Sequence, residues 1–234
     1  MSDVAELSQA ERAYRKLRNE ILHGTLMPGE RLRAADLQDR FQLGLTPIRE
    51  ALMRLTSENL VEAEANKGSR VSHASLAELR DLMATRRMVE RECLTAAIAN
   101  GDANWEAEIV ASMHLLSRTK LPTSAEDRAA AGAWELQHRR FHFALIAACG
   151  SEWLLRFWNV LADHSERYRK VRLLHRLDVD AEVRDINAEH SAIMAAVLKR
   201  DAKKATRLMD QHLTATEKYI AKLLAAPKPT KRVR

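Results

Sequence analysis

Four histidines are placed where their imidazole rings could hold a metal ion. His138 and His142 are four residues apart in the segment LQHRRFH, so on a helix they would share one face. His190 and His212 lie in two later segments, and apolar residues at helical spacing flank each of them. Imidazoles on facing helices can bind Zn²⁺ or a similar divalent ion and leave positions open for water or a ligand. Buried histidines that serve only the core would show the same spacing, so both interpretations stay open at this point.

A pair of arginines and a later basic run could bind an anion. Arg86 and Arg87 are adjacent in ATRRMVERE, and a guanidinium that faces a cavity would bind a carboxylate through two parallel hydrogen bonds. The competing interpretation is an ion pair within the helix, between either arginine and Glu90. The run RYRKVR is more typical of a solvated face, although Tyr168 or Arg169 could line the same pocket.

The segment LTPIREALMRL has the features of a helix that contacts DNA. Thr46 and Pro47 begin it, so a hydroxyl and the free backbone N–H groups of a helix N-terminus can face a phosphate. Arg49, one turn further and opposite the apolar stripe, can reach a guanine edge or the DNA backbone. Solvated surface arginines are the competing interpretation. The other candidate DNA contacts are nearby basic residues and one glycine: Arg33, Arg40, Lys67, Gly68 and Arg70.

Short elements surround this segment, separated by turns that contain glycine and proline. They are a helix from Ala13 to Leu22, helices over 34–41 and 46–57, and strands over 60–63 and 70–72. Pro47 falls in the first turn of the third helix, where proline costs least. Three helices and a two-stranded ribbon predict a winged helix-turn-helix domain over residues 1–73.

Long helical patterns dominate the rest of the chain. About six helices are predicted, over 75–100, 103–118, 127–148, 151–176, 181–200 and 202–225. Their short connections favour antiparallel neighbours, so we expect an antiparallel α-helical bundle over residues 74–225. The remaining residues, 226–234, form a basic tail that we expect to be disordered. The predicted fold class is therefore mainly α.

Composition narrows the possible classes of protein. The chain has 234 residues, of which 46% are apolar, and its 7 glycines and 5 prolines are too few for an all-β fold. Its two cysteines lie in apolar surroundings, which suits a reducing cytosol better than a disulfide scaffold. We expect a cytoplasmic protein without a membrane segment, because no apolar run reaches the roughly 18 residues of a membrane helix. The net charge of +6 permits nucleic-acid binding without proving it.

The first 73 residues resemble the GntR family of bacterial transcription regulators. The matching positions in the turn after the first helix are Gly24, Leu26, Pro28, Gly29 and Leu32. Those in the third helix are Thr46, Pro47, Arg49, Glu50, Ala51 and Leu52. Gly44 and Leu45 depart from the family, which usually has Ser or Thr followed by Arg there. The operator sequence typical of the family is therefore not expected to transfer.

The second half resembles the FCD effector domain of the FadR subgroup of that family. The matching residues are Arg86, Arg87, Glu90, Phe141, His142, Leu145, Ala148, Gly150, Glu189, His190, Ile193, Met209, His212 and Leu213. The resemblance implies a metal held by an Asp and three His, and effectors that are small organic acids. This chain has His138 in place of the Asp. Four histidines would form a less anionic site, which favours Zn²⁺ or Ni²⁺ over Mn²⁺.

The favoured hypothesis is a transcription regulator, a repressor, controlled by a small carboxylate that binds the helical domain with help from a metal ion. It would bind a pseudo-palindromic operator in double-stranded DNA as a homodimer. One alternative is a helical-bundle metalloenzyme, but no convincing general base accompanies the histidines: Glu189 precedes His190 and points elsewhere on its helix. Another alternative is a structural DNA-binding protein without an effector, against which the histidines argue.

Overall fold

The computed structural model describes residues 7–22, 24–64, 68–124, 127–174 and 184–225. The backbone divides into two compact units, Met1–Ala74 and Ser75–Arg234. The predicted tail, 226–234, lies outside the described residues. Within the described ranges, no helix combines the length and the apolar character that spanning a bilayer requires.

In the first unit, the part of the chain that the structure describes forms three helices and a small sheet. The helices are α1 (Gln9–Leu22), α2 (Ala34–Phe41) and α3 (Leu45–Ser57), and the strands are β1 (Arg31–Leu32), β2 (Val61–Glu64) and β3 (Gly68–Val71). Both strand pairs are antiparallel in the order β1-β3-β2. The two-stranded ribbon predicted from the sequence was incomplete, because the two-residue strand β1 is too short to show an alternating pattern and pairs with β3.

The core of this unit fixes the orientation of α3. Leu17 and Ile21 of α1 pack in one buried cluster with Ile48 and Leu55 of α3. These residues recur every three or four positions, so one stripe of each helix is apolar and the opposite face of α3 is left to solvent. Gln42 adopts a left-handed conformation at the end of α2 and produces the tight turn into α3.

The described residues of the second unit form a bundle of six helices. They are α4 (Leu76–Asn100), α5 (Ala103–Arg118), α6 (Arg128–Ile146), α7 (Glu152–Leu174), α8 (Ile186–Leu198) and α9 (Ala202–Ala225). Short polar side chains begin several of them: Ser75, Asp102, Asp127 and Asp185 each accept a hydrogen bond from the backbone N–H three residues later. A mainly α protein with a winged helix-turn-helix and a helical bundle is thus confirmed.

Helix α6 shows how the bundle positions polar groups in its interior. Its buried face runs through Ala131, Trp134, His138, Phe141 and Leu145, at the spacing of one helical stripe. Two polar side chains of the same helix, Glu135 and His142, are also buried. Helix α4 packs against α6, α7 and α9, and α8 packs against α9, so the interior polar groups of these helices can meet.

Candidate functional site

The histidine cluster consists of His138, His142, His190 and His212. Helix α6 carries the first two, α8 carries His190 and α9 carries His212, and all four side chains are buried. One ligand atom from each residue lies within 4.8 Å of those of the other three. The Nε2 atoms of His142 and His190 are 3.4 Å apart. The structure therefore brings together all four histidines that the sequence singled out.

Burial favours the neutral forms of His138 and His142. Desolvation places the pKa of His138 well below its usual value, and the charges of His142 and Arg169 lower it further. Burial also lowers the pKa of His142, although hydrogen bonding with Glu90 opposes this effect. Neutral imidazoles carry ring lone pairs, and a set of four converging nitrogen donors fits a borderline divalent ion such as Zn²⁺ or Ni²⁺. The residues present are thus chemically suited to the metal that the sequence predicts.

Two buried carboxylates face the outer side of the cluster. Glu135 Oε1 lies 3.6 Å from Nδ1 of His138, and Glu90 Oε1 lies 3.6 Å from Nδ1 of His142. Trp158 donates a hydrogen bond of 2.7 Å from its indole nitrogen to Glu90 Oε2. Burial opposes ionisation of Glu90, but the hydrogen bond with His142 and the positive charges nearby outweigh it, so the pKa of Glu90 is lowered. Glu90 is a carboxylate at neutral pH.

A third carboxylate reaches the cluster from α8. Glu189 Oε2 is 2.8 Å from Nδ1 of His212. Arg184, just before α8, contacts both Glu189 oxygens at 2.5 Å and donates a hydrogen bond of 2.8 Å to the backbone oxygen of His212. Although Glu189 precedes His190 in the chain, it therefore acts on a histidine of another helix.

Two of the predicted effector ligands, Arg86 and Arg169, are fully buried and paired with the carboxylates near the cluster. Arg86 Nε lies 3.4 Å from Glu90 Oε2, and its Nη1 donates a 2.7 Å hydrogen bond to Ser165. Arg169 Nε donates a 2.9 Å hydrogen bond to Glu135 Oε1. Desolvation lowers the pKa of Arg86 to about 10, so it remains a cation at neutral pH. The interpretation as an ion pair within the helix describes Arg86 in this structure.

The other two predicted effector ligands have partners elsewhere. Arg87 Nη1 donates a 2.6 Å hydrogen bond to Glu217 of α9. The Tyr168 hydroxyl donates a 2.6 Å hydrogen bond to Glu78, in the first turn of α4. Glu78 precedes Arg86 by eight residues, about 12 Å along the helix. The structure does not place Tyr168 or Arg87 together with the Arg86–Glu90 pair.

In the first unit, the N-terminus and the exposed face of α3 form a candidate DNA-contact surface. Gly44 supplies no side-chain cap to this helix, so its first backbone N–H groups are not satisfied by a capping side chain. Thr46 and Arg49 are exposed, and Pro47 is half-buried. Arg49 makes no ion pair with any residue that the structure describes. Arg33 is exposed at the N-cap of α2.

The remaining candidate DNA contacts differ in how they are held. Arg40 forms an ion pair of 2.7 Å with Glu20. Arg70 of β3 donates hydrogen bonds to Glu64 and, at 2.6 Å, to the backbone oxygen of Gly29, so it ties the sheet together. Gly68 begins β3 with φ +89°, a conformation that glycine adopts readily. Lys67 lies outside the described residues.

Sequence reasoning overlooked the carboxylates Glu135 and Glu189 as parts of the site. Glu135 lies three residues before His138 on the same buried face, so the helical spacing that identified the histidines could also have identified it. The contact of Glu189 with His212 depends on how α8 packs against α9, and no pattern within one helix reveals it. Trp158 is likewise brought to Glu90 by packing of α7 on α4.

The chain matches two family models and several known regulators. The model of the "Bacterial regulatory proteins, gntR family" matches residues 9–71, and that of the FCD domain matches residues 81–215. An uncharacterized HTH-type transcriptional regulator, BphR of Paraburkholderia xenovorans, is 38% identical over 89% of this chain and 84% of its own. The HTH-type transcriptional repressor GlaR of Escherichia coli is also 38% identical, over 91% of this chain and 96% of its own.

Solved structures show the same fold. McbR/YncC of E. coli has a TM-score of 0.74 at 19% identity and covers 93% of this chain and 99% of its own. A putative GntR transcriptional regulator of Rhodococcus sp. RHA1 has a TM-score of 0.72 at 22% identity and covers 94% of this chain and 100% of its own. The family and the relatives are regulators, so the metalloenzyme alternative is not supported. The chain belongs to the GntR family of DNA-binding transcriptional regulators, in the FadR-like subgroup with an FCD domain.

Proposed function

We propose that this regulator is a cytoplasmic repressor whose DNA binding is controlled by a small carboxylate bound in the helical unit, next to a metal ion. The observation that carries the proposal is the buried histidine cluster with two buried arginines beside it. A group of four imidazoles and two guanidinium groups is costly to bury in a helical bundle that serves structure alone. The repressor named GlaR supports the direction of regulation.

The metal would be held by the histidine cluster on α6, α8 and α9. An ion bound there would supply a Lewis-acidic position for one oxygen of a carboxylate. The chain's own residues bring three helices to one point and exclude bulk water from it, because all four rings are buried. Four neutral nitrogen donors favour Zn²⁺ or Ni²⁺ over Mn²⁺.

The carboxylate effector would be recognised by Arg86 and Arg169. Both guanidinium groups are buried and already neutralised by carboxylates, so an incoming anion competes with Glu90 and Glu135 for them. That competition is the kind of differential contact that a conformational switch requires, since a ligand shifts an equilibrium only if it binds one state better. Arg87 and Tyr168 remain proposed effector ligands that would have to leave their carboxylate partners on α9 and α4.

Operator DNA would be contacted by the N-terminus and exposed face of α3. Arg49 is the proposed base contact, and Thr46 with Pro47 would present the helix N-terminus to a phosphate. The proposed backbone contacts are Arg33, Arg40, Lys67, Gly68 and Arg70. Because Arg40 and Arg70 hold carboxylates in this structure, their part in DNA binding would be smaller than that of Arg49.

A homodimer is proposed because a pseudo-palindromic operator needs two copies of α3. Helix α7 supports this proposal with an apolar stripe of Trp153, Phe157 and Val160, each more than half exposed. These side chains recur at intervals of four and three residues, so they form one continuous face. An exposed apolar face of this kind is typical of a protein interface.

A combined binding experiment tests the proposal. The purified protein is assayed for bound metal and for thermal stabilisation by a panel of small carboxylates, in parallel with gel shifts on its operator. We expect one divalent ion per chain, loss of that ion in His142→Ala, and release of DNA by a stabilising carboxylate. A chain that takes up none of Zn²⁺, Ni²⁺ or Mn²⁺ and retains DNA with every carboxylate would overturn the effector mechanism.

A further inference from the structure

Three of the four clustered histidines share the same order of neighbours. An arginine contacts a glutamate, and the glutamate faces Nδ1 of the imidazole. The three sets are Arg169–Glu135–His138, Arg86–Glu90–His142 and Arg184–Glu189–His212. In the first two sets the carboxylate is buried and therefore costly unless it is paired, so the repeat indicates a common purpose. In the third set, Glu189 is 31% exposed and Arg184 also contacts Nδ1 of His212.

We propose that Glu135 is a positioning residue for the metal. Its Oε1 faces Nδ1 of His138 at 3.6 Å, and a shift of a few tenths of an ångström would let it accept a hydrogen bond from Nδ1–H and direct Nε2 of that imidazole to the ion. It also neutralises Arg169, whose buried guanidinium would otherwise be an uncompensated cation near the ion. This inference rests on the metal site of the proposed function.

The tautomer of His138 follows from the hydrogen-bonding capacity of its imidazole and of the Glu135 carboxylate. A neutral imidazole has one N–H group, and a carboxylate can only accept, so the nitrogen that faces the carboxylate carries the proton. His142 shows the resulting orientation: its Nδ1 faces Glu90 at 3.6 Å and its Nε2 faces Nε2 of His190 at 3.4 Å. The ring of His138 lies 4.4 Å from that of His142, and its Nδ1 faces Glu135. Metal-binding histidines are commonly oriented by a carboxylate in this way.

Arg169 places a buried positive charge beside Glu135. Its guanidinium donates a hydrogen bond of 2.9 Å to Glu135 Oε1, the oxygen that lies 3.6 Å from Nδ1 of His138. Without Glu135 it would be an uncompensated cation beside a divalent ion that four neutral ligands cannot neutralise. Glu135 Oε2 is buried and accepts no hydrogen bond from the described residues, so this oxygen could still accept one.

The first test is the metal affinity of Glu135→Gln, measured by competition with a chelator for Zn²⁺ and for Ni²⁺. We expect binding about 10- to 100-fold weaker than in the unaltered protein, the usual effect of losing an outer carboxylate partner. Asp163→Asn is the matched control, because Asp163 pairs with Arg139 and so also joins α6 to α7. Equal affinity in Glu135→Gln and the unaltered protein would refute the inference.

A double-variant cycle separates positioning from a merely structural ion pair. In His138→Asp the carboxylate itself binds the ion, and no imidazole remains for Glu135 to orient. Adding Glu135→Gln to His138→Asp should therefore weaken metal binding less than the same substitution does in the unaltered protein, because only the effect on Arg169 remains. A structural role predicts the same loss in both backgrounds, and that result would overturn the proposal.

Two further measurements test the inference without bound metal and in a second variant, in case Glu135→Gln does not fold. In the metal-free protein, nitrogen chemical shifts should report His138 with its proton on Nδ1, and Glu135→Gln should reduce that population. If Glu135→Gln does not fold, Glu135→Asp, which withdraws the carboxylate by one methylene, should still bind metal more weakly. If the unaltered chain binds no metal, the metal site and this inference fail together. If the unaltered chain binds metal, His142→Ala loses the ion and Glu135→Gln binds it as tightly as the unaltered chain, this inference alone fails.

Discussion

Arg49→Ala should abolish operator binding without harming the fold. The side chain is exposed on α3 and makes no ion pair with a described residue, so its removal breaks no ion pair of the described part of the first unit. Surface substitutions of this kind change the free energy of unfolding by about 0.5 kcal/mol or less. A bidentate contact with a base contributes about 1–3 kcal/mol. A dimer that contacts two half-sites would then lose about 2–6 kcal/mol of binding free energy, which raises its dissociation constant about 30-fold to more than 10⁴-fold.

Arg54→Ala provides the matched control on the same helix. Arg54 forms ion pairs with Glu11 and Glu58, and its guanidinium lies 3.5 Å from the centre of the Tyr14 ring. Its removal should lower the melting temperature, because these contacts tie α3 to α1. Loss of DNA binding in Arg49→Ala at an unchanged melting temperature, measured by fluorescence anisotropy at fixed salt, would support α3 as the DNA-contacting helix. Operator affinity equal to that of the unaltered protein would refute this assignment.

Four further outcomes are expected. His212→Ala should lose the bound ion, as elemental analysis will show; retention of one ion per chain would place the metal elsewhere. Arg86→Met should lower the free energy of unfolding by about 3–5 kcal/mol in urea titrations, because Glu90 would be left as an unpaired buried charge, and Glu90→Gln added to it should restore part of this loss. Burial lowers the pKa of His138, so below pH about 6.5 the unfolded chain takes up a proton that the folded chain refuses. The contribution of His138 to the free energy of unfolding of the metal-free protein should then be fully present above that pH and decrease below it, by up to about 1.4 kcal/mol per pH unit. Equal urea midpoints at pH 7.5 and 5.5 would contradict this. Phe157→Glu should yield monomers in light scattering, whereas an unaltered dimer would place the interface on another face.

The elements of the fold were largely predictable because periodicity is a local property. The α3 stripe of Ile48, Leu52 and Leu55 could be recognised within thirteen residues, and glycine and proline marked the turns. Strand β1 could not be recognised this way, since Arg31 and Leu32 form a strand only through their pairing with β3. Most helix ends that moved did so by one or two residues, as expected where capping decides the boundary, but α1 begins four residues earlier and α8 five residues later than predicted.

The candidate site was predictable in its ligands and not in its surroundings. A histidine on an apolar stripe must point into the bundle, so the convergence of His138, His142, His190 and His212 followed from spacing and resemblance. The partners of Arg86 could not be predicted from the sequence alone. The sequence offered a pair with Glu90 or a free guanidinium, and only the packing of α7 on α4, which brings Ser165 and Trp158 to the same place, decided between them.

In the proposed mechanism, the electrostatics of the helical unit would couple the metal to the effector. Around the histidine cluster, Arg86 and Arg169 are balanced by Glu90 and Glu135, and burial lowers the pKa of His138 and of His142, so these groups carry little net charge before any ligand binds. A divalent ion adds two positive charges in a region with little water to screen them. An anion that reaches the cluster removes part of that excess, while it also draws an arginine away from its glutamate. The proposed ion would therefore raise the affinity for a carboxylate, and by thermodynamic linkage the carboxylate would raise the affinity for the ion to the same extent. The presence of His138 in place of an aspartate would strengthen this dependence, because one negative charge that would have satisfied the ion is no longer among its ligands.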